Sequence, residues 1–336
     1  MTTAAVSDSE TDPAAGAVPV DSPPVDTAAA PAAPAAEPAA RGRLRAFFDY
    51  RRTMMTLAVL LVLIPAIVLF PGTSREALTE GLNEGFTMAH LMAFVAIALV
   101  AAAVKGLSGF GYALIATPLA AVLIDPSVAV IVLAVPALVM NLFQVGETGT
   151  GWQYLRQHWS LVAAALVGSV IGVFILKNFP AKQLLGVIIG VVLVSYVIWS
   201  VARKGRPATG TAHPVSLGAV GVAEGVLLGA VNMGPLLPAY LHTFERDARR
   251  YIGGMSLVFT LVFAERIGQM SVNGLMTAQL LWLGSVIALV TLVGLAAGTA
   301  LRRWGRINPS VFSALVLTLL GATGVTMLVK AVPHFL

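Results

Sequence analysis

The sequence predicts an all-α polytopic membrane protein built as an inverted repeat. Each of its two units is a broken-helix hairpin plus three transmembrane helices, and one extra N-terminal transmembrane helix precedes them. Three observations carry this expectation. Of 336 residues, 57% are hydrophobic and 11% charged, against roughly 25% charged in a soluble domain. Apolar stretches long enough to cross a bilayer recur along the chain. Lysine and arginine gather on alternate connecting segments.

Residues 1–40 are built mainly from Ala, Pro, Ser, Thr and acidic residues without aromatics, a composition that buries too little apolar surface to offset the entropy of ordering. They are expected to form a disordered cytoplasmic tail. No basic segment followed by an apolar run is present there, so the tail does not read as a secretory signal. Residues 41–52 carry five arginines with Phe47, Phe48 and Tyr50 among them, the pattern of a basic juxtamembrane segment facing the cytoplasm.

Spans need about 20 apolar residues to cross a ~30 Å hydrocarbon core. Such stretches fall at 53–70, the extra helix, and at 128–145, 159–176, 183–201, 254–270, 277–300 and 310–330. Two stretches, 86–124 and 215–243, are too long for one span and are interrupted by glycine. The first break reads Lys105-Gly-Leu-Ser-Gly-Phe-Gly111 and the second Gly229-Ala-Val-Asn-Met-Gly-Pro235. Glycine permits helix-ending backbone, and proline removes a donor. The leg after the second break, 236–243, would extend only about 12 Å at the helical rise, so that hairpin re-enters rather than crosses. The first repeat is thus 86–201, a cytoplasmic linker 202–214, and the second repeat 215–330.

With 41–52 inside and each hairpin returning to its own face, 15 Lys and Arg lie on inside segments and four outside, while Lys105 and Arg266 fall within the membrane. This bias places the protein in the cell (inner) membrane with a cytoplasmic N-terminus and an outer C-terminus. One repeat then enters from outside and the other from inside. Inverted repeats with broken helices at matching positions are the architecture of secondary transporters.

Other classes drop out. The chain has no cysteine, which removes thiolate chemistry. No His-Glu-x-x-His, Walker loop or Gly-x-Ser-x-Gly is present, so neither catalytic residues, cofactor nor metal is expected. The net charge of +5 sits in short clusters between apolar runs, which speaks for a bilayer and against nucleic acid. The alternative reading is a non-transporting membrane scaffold or assembly protein whose glycines serve packing alone.

The expected partners are the lipid bilayer, a small anionic substrate and a coupled proton or cation; nothing in the sequence fixes an oligomeric state. At the first break, freed backbone N–H groups open a half-helix whose partial positive charge attracts anions. Lys105, Ser108, Gly109, Gly111 and Tyr112 are the candidate substrate-binding residues there, against a reading in which the glycines pack and Lys105 snorkels. At the second, Asn232 and Gly234 are candidates, with Glu224 upstream. Glu224 and Lys105 each precede a glycine, which suggests a salt bridge, either one that protonation would release or a purely structural pair. Glu265 is a second proton-coupling candidate. Arg266 suits an oxyanion or, lying near a helix end, snorkels to water. Asn141 and Gln144 serve a pore or helix–helix bonding, and His90 is expected at the interface.

These motifs resemble the sulfite exporter TauE/SafE family, also called the toluene-sulfonate uptake permease family. The resemblance runs over about 86–330 and rests on Lys105-Gly-Leu-Ser-Gly-Phe-Gly111 with Pro118 and Asn141, and on Gly225, Gly229, Gly234-Pro235 and Tyr240-Leu241. It implies a permease for a sulfur-containing or organic anion such as sulfite or a sulfonate. Where the family tends to run glycines, this chain has Gly111-Tyr112-Ala113 and Asn232-Met233-Gly234, which implies a narrower or repolarised pocket.

Overall fold

The computed structural model describes residues 37–72, 87–178, 182–202, 214–241, 245, 247–305 and 309–331. Two units are distinguished, Met1–Gly42 and Arg43–Leu336. Of the first only the start of a helix is described; the helical bundle is the second. The predicted tail up to residue 36 and the linker residues 203–213 lie outside the described residues, as do Arg75, Arg246 and Arg306 of the charge count.

The described residues form helices α1 (Glu37–Val68), α2 (Met88–Ser108), α3 (Tyr112–Leu123), α4 (Pro126–Val132), α5 (Ala134–Thr148), α6 (Trp152–Gln157), α7 (Trp159–Asn178), α8 (Lys182–Ala202), α9 (Pro214–Val231), α10 (Leu236–Leu241), α11 (Ala248–Val272), α12 (Ala278–Trp304) and α13 (Pro309–Ala331), with no strand among them. Among the described residues, six stretches are long and apolar enough to cross a membrane: Asp49–Val68, Met88–Ser108, Pro126–Thr148, Trp159–Asn178, Ala248–Val272 and Ala278–Trp304. This is a polytopic, all-helical membrane protein.

Local sequence sets the helix boundaries. Thr87 and His90 form a capping box at the start of α2, and Asp125 accepts from the Ser127 and Val128 N–H groups with Pro126 in the first turn of α4. Asp247 accepts from Arg250 N–H at α11, and Thr277 accepts from Leu280 N–H at α12. Each cap satisfies donors that the first helical turn leaves free. The span expected at 128–145 lies within the apolar stretch Pro126–Thr148 and is interrupted by a single turn at Leu133, where α4 gives way to α5. Pro136 lies in the first turn of α5, where it lacks an N–H and its ring disfavours a continuous helix through Val132. Helix α6, in the segment expected to be a plain connection, is a further difference from the sequence reading.

Small residues bring the helices together. α7 packs on α9 and α12 on α2, and both contacts are glycine-lined. A Cβ on Gly225 would strike the backbone of Ala165 and Ser169, and one on Gly172 that of Val226, Gly229 and Ala230. On the other contact, a Cβ on Gly106 would strike the backbone of Leu295, Gly298 and Thr299. Such close backbone approach is how helices associate in lipid, where no water drives burial. α8 packs on α13, with Gly190 and Gly324 each facing the other's carbonyl. α5 and α7 both pack on α11. α1 is held at the rim, with Trp282 Nε1 donating to Ala66 O at 3.1 Å and Leu57, Leu60, Ile64 and Ile67 exposed.

Candidate functional site

The first break is shaped by two glycines. Gly109 ends α2 with φ +89° and donates its N–H to Lys105 O at 2.7 Å, and Gly111 opens α3 with φ +96°. Both lie in the left-handed region that side chains rarely adopt. Ser108 folds back on its own turn, with Oγ 2.8 Å from Val104 O and 2.7 Å from Phe110 O. It braces the break. No side chain caps α3, so the N–H groups of its first turn remain open.

The second break uses the same device with different residues. Asn232 is the one non-glycine residue with positive φ (+60°) among the described residues, and its N–H bonds Leu228 O at 3.1 Å. Beyond it, Glu224 Oε2 accepts from the Leu236 N–H at 2.9 Å. Gly234 makes room for this carboxylate, since a Cβ there would lie 2.6 Å from Glu224 Oε1. Matching the two caps, Gly109 with Asn232, puts Leu228 rather than Glu224 in the position of Lys105. The expected Lys105–Glu224 salt bridge is therefore corrected: Glu224 sits a turn further from its break and bonds a backbone amide instead.

The two breaks meet around a cavity of about 30 Å³, lined by Lys105, Phe110, Gly111, Tyr112 and Asn141 from the first half and by Leu228, Gly234, Phe259 and Phe263 from the second. That is room for about one water. Lys105, 3% exposed, donates from Nζ to Asn141 Oδ1 at 2.9 Å and approaches Gly109 O at 3.5 Å. Asn141 is oriented by its own Nδ2 donating to Ala137 O at 2.8 Å. An ammonium has three donors, so one is left. None of the ion pairs among the described residues involves Lys105. The Tyr112 hydroxyl is buried without a partner. Ammonium, phenol and the open amides of α3 give this cavity a donor character suited to an anion.

Asn232 and Arg266 stand beside the cavity, in a separate knot. Arg266 is fully buried, so it does not snorkel. Its Nε donates to Gly229 O at 3.2 Å, Nη1 to Asn232 Oδ1 at 2.5 Å and Nη2 to Val130 O at 3.2 Å. Asn232 Nδ2 in turn donates to Thr117 Oγ1 at 3.0 Å. The guanidinium fork thus bridges the C-terminal carbonyls of α4 and α9, the negative ends of two helices. Glu265, its neighbour, lies within electrostatic reach of Arg266 and beside the Ser169 hydroxyl. Gln144 Oε1 accepts from Ser256 Oγ at 3.0 Å, a helix–helix bond. His90 closes the α2 capping box.

Of the candidate substrate residues, Lys105, Gly111, Tyr112, Asn141 and Gly234 line the cavity, whereas Ser108 and Gly109 shape the break and Asn232 and Arg266 brace it. Sequence reasoning missed Phe259 and Phe263, spaced i,i+4 as any core pair is, and the carbonyls of Gly229 and Val130, which no side chain announces. It also missed Thr117.

A donor-lined cavity between two interrupted helices of an apolar bundle is the build of a multi-pass membrane transporter. The family model of the sulfite exporter TauE/SafE matches residues 94–327, which takes in both breaks and the cavity. The chain belongs to the sulfite exporter TauE/SafE family, membrane transporters of anions such as sulfite, not a family of enzymes. No curated protein and no solved structure matches it.

Proposed function

We propose that this chain is a secondary transporter of a sulfur-containing or organic anion, sulfite or a sulfonate, working by alternating access between two inverted repeats, 86–201 and 215–330. The pairing of helices supports the repeat. Exchanging the halves element for element turns the α7–α9 contact into α12–α2, turns α5–α12 into α11–α7, and leaves α8–α13 and α5–α11 in place. Short re-entrant legs at corresponding positions are where such transporters hold their substrate.

Lys105 carries the reading: a buried ammonium without an ion pair among the described residues, on a cavity shared by both tips. An uncompensated cation at that depth is costly unless a ligand supplies the opposite charge. Lys105 Nζ and Tyr112 OH bind the anion together with the amides after Gly111, while Gly109 and Ser108 hold the first tip and Asn141 aims the ammonium. Gly234, and Asn232 held by Arg266, present the second tip. Glu224 and Glu265 are the coupling carboxylates. With room for about one water, the cavity is closed around no substrate, and opening one tip at a time would make room for the anion and give access to either face. The charge distribution supports a cytoplasmic N-terminus.

The test is uptake of radiolabelled sulfite into proteoliposomes, with thermal-shift screening of the purified chain against sulfite, sulfonates, sulfate and carboxylates. Binding to the native state stabilises by mass action. Saturable flux abolished in Lys105→Ala is the expected result. Neither flux nor stabilisation by any anion leaves the scaffold reading instead.

A further inference from the structure

A second cavity, of about 630 Å³, opens between α8, α9 and α10. Its walls are held apart by the way the helices pair. α8 packs on α13 and meets α9 only lightly, and α10, with six residues, extends only about 9 Å and cannot fill the gap. Val192, Tyr196 and Trp199 of α8 line one wall, and Ala219, Ala223 and Leu227 of α9 line the other. Each set repeats at the spacing of one helix face. From Ala219 to Leu227 the cavity runs about 12 Å along the helix, close to the ~15 Å half-thickness of a ~30 Å hydrocarbon core.

The lining is almost wholly apolar, and the hydroxyl of Tyr240, which lies on it, is bonded to Ser216. Water needs two to four polar partners and does not find them here. An empty space of that size would forfeit dispersion contacts for every side chain around it. Val191, Leu236 and Trp199 on the lining are exposed, so hydrocarbon reaches the cavity from the side without crossing polar surface. We infer that an acyl chain of a membrane phospholipid occupies this cavity, entering between α8 and α9. Tyr196 and Trp199, whose rings stack, lie in the last two turns of α8, and such amphipathic rings favour the headgroup level. The phosphate then lies where α8 ends and α9 begins. The residues between Ala202 and Pro214 include Arg203, Lys204 and Arg206 and no acidic residue, a charge complementary to a phosphate.

The second tip is the partition between the two cavities. Leu228 and Gly234 line the donor cavity, whereas Leu227, Pro235 and Leu236 line the apolar one. A chain lodged there backs the tip on the side away from Lys105, and its departure frees space into which the tip can withdraw. Only this effect on transport rests on the transporter reading; the lipid site itself does not.

The experiment uses the purified full chain, delipidated in detergent and titrated with phosphatidylglycerol, with native mass spectrometry and thermal unfolding as readouts. Wild type should take up the phospholipid saturably and unfold at a higher temperature once it is bound. Ala223→Phe places a ring in the cavity, where Ala223 is exposed, and should weaken lipid binding at least about tenfold, equivalent to 1.4 kcal/mol. Val293→Phe, at an exposed position of α12 away from the cavity, should leave binding intact. A phosphatidylglycerol with a photoreactive diazirine in its acyl chain, reconstituted with wild type, should label Val192, Tyr196 and Ala223 above exposed apolar positions such as Val293 and Val329. That arm needs no variant to fold. Absence of saturable lipid binding, undiminished binding in Ala223→Phe, or labelling spread evenly over the exposed apolar positions overturns the proposal; so does protection of the cavity by a second copy of the chain. Lipid binding without anion flux would sink the transporter reading and keep the site. Anion flux and anion stabilisation without lipid binding would do the reverse.

Discussion

Glu224 Oε2 accepts the Leu236 N–H at 2.9 Å, so the protein's own carboxylate closes the start of α10. The corresponding start of α3 has no side-chain cap and opens on the cavity beside Lys105. The two hairpins therefore differ in a chemically useful way. The second is closed by an acceptor of the chain itself, and the first is open to one from outside.

Replacing that carboxylate by an amide tests whether its charge matters. Glu224→Gln keeps an oxygen to accept from Leu236 and fills the same space against Gly234, so the protein should fold and elute as wild type. It removes a titratable group. Anion exchange down a concentration gradient should persist, while acceleration by an imposed pH difference across proteoliposomes should vanish. A gradient response equal to wild type would remove Glu224 from coupling.

Lys105→Ala removes the cavity's full charge. A hydrogen bond to a charged group contributes roughly 1.5–3 kcal/mol, so anion affinity should fall by about one to two orders of magnitude, read as the concentration needed for half-maximal thermal stabilisation. Asn141→Ala should give a smaller loss of affinity, because Asn141 aims the ammonium without lining up as a donor itself. Equal stabilisation of wild type and Lys105→Ala by the anion would place the ligand elsewhere.

Much of this fold is legible in the sequence because lipid imposes simple rules. Long apolar runs must be helices, and the glycine tracts 105–111 and 229–235 mark where two of them end. The chemistry within the breaks is less legible. Lys105 and Glu224 each precede a glycine, yet Gly109 and Asn232 set the register, and asparagine in a left-handed turn is not distinguishable in sequence from an ordinary polar residue. Arg266 reads as interfacial by its distance from the helix end. Its depth follows from Gly229 and Val130, whose carbonyls are unpaired only because α9 and α4 stop where they do. The interruption within 128–145 is signalled by Pro136, but weakly, since proline is common in membrane helices.

Two glycines on α9 separate packing from backbone freedom. Gly225 lies against Ala165 and Ser169, whereas nothing comes within 4 Å of a Cβ on Gly218. Gly225→Val should therefore prevent α7 from closing on α9, with overpacking costing at least about 1–3 kcal/mol. Gly218→Ala should be neutral or slightly stabilising. Fluorescence-detected size-exclusion chromatography, with unfolding temperature as the second readout, separates the two; comparable profiles would mean that the helices do not approach this closely.

Arg266 is the strictest test of which cation binds substrate and which holds the fold. Its three donors satisfy Gly229 O, Val130 O and Asn232 Oδ1, and all four residues are drawn into one buried knot across α4, α9 and α11. Removing the guanidinium leaves three buried acceptors unpaired, each at a cost of about 1–3 kcal/mol. Arg266→Ala should unfold at a clearly lower temperature whether or not anion is present. Arg266→Lys should recover only part of the loss, since a point ammonium cannot reach three separated acceptors as the planar fork does. Lys105→Ala should behave oppositely, with near-native stability and a lost anion response. If Arg266→Ala instead kept its stability and lost only the response to anion, the guanidinium would belong to the substrate pathway and the brace assigned to it would have to be carried by Asn232 and Thr117 alone.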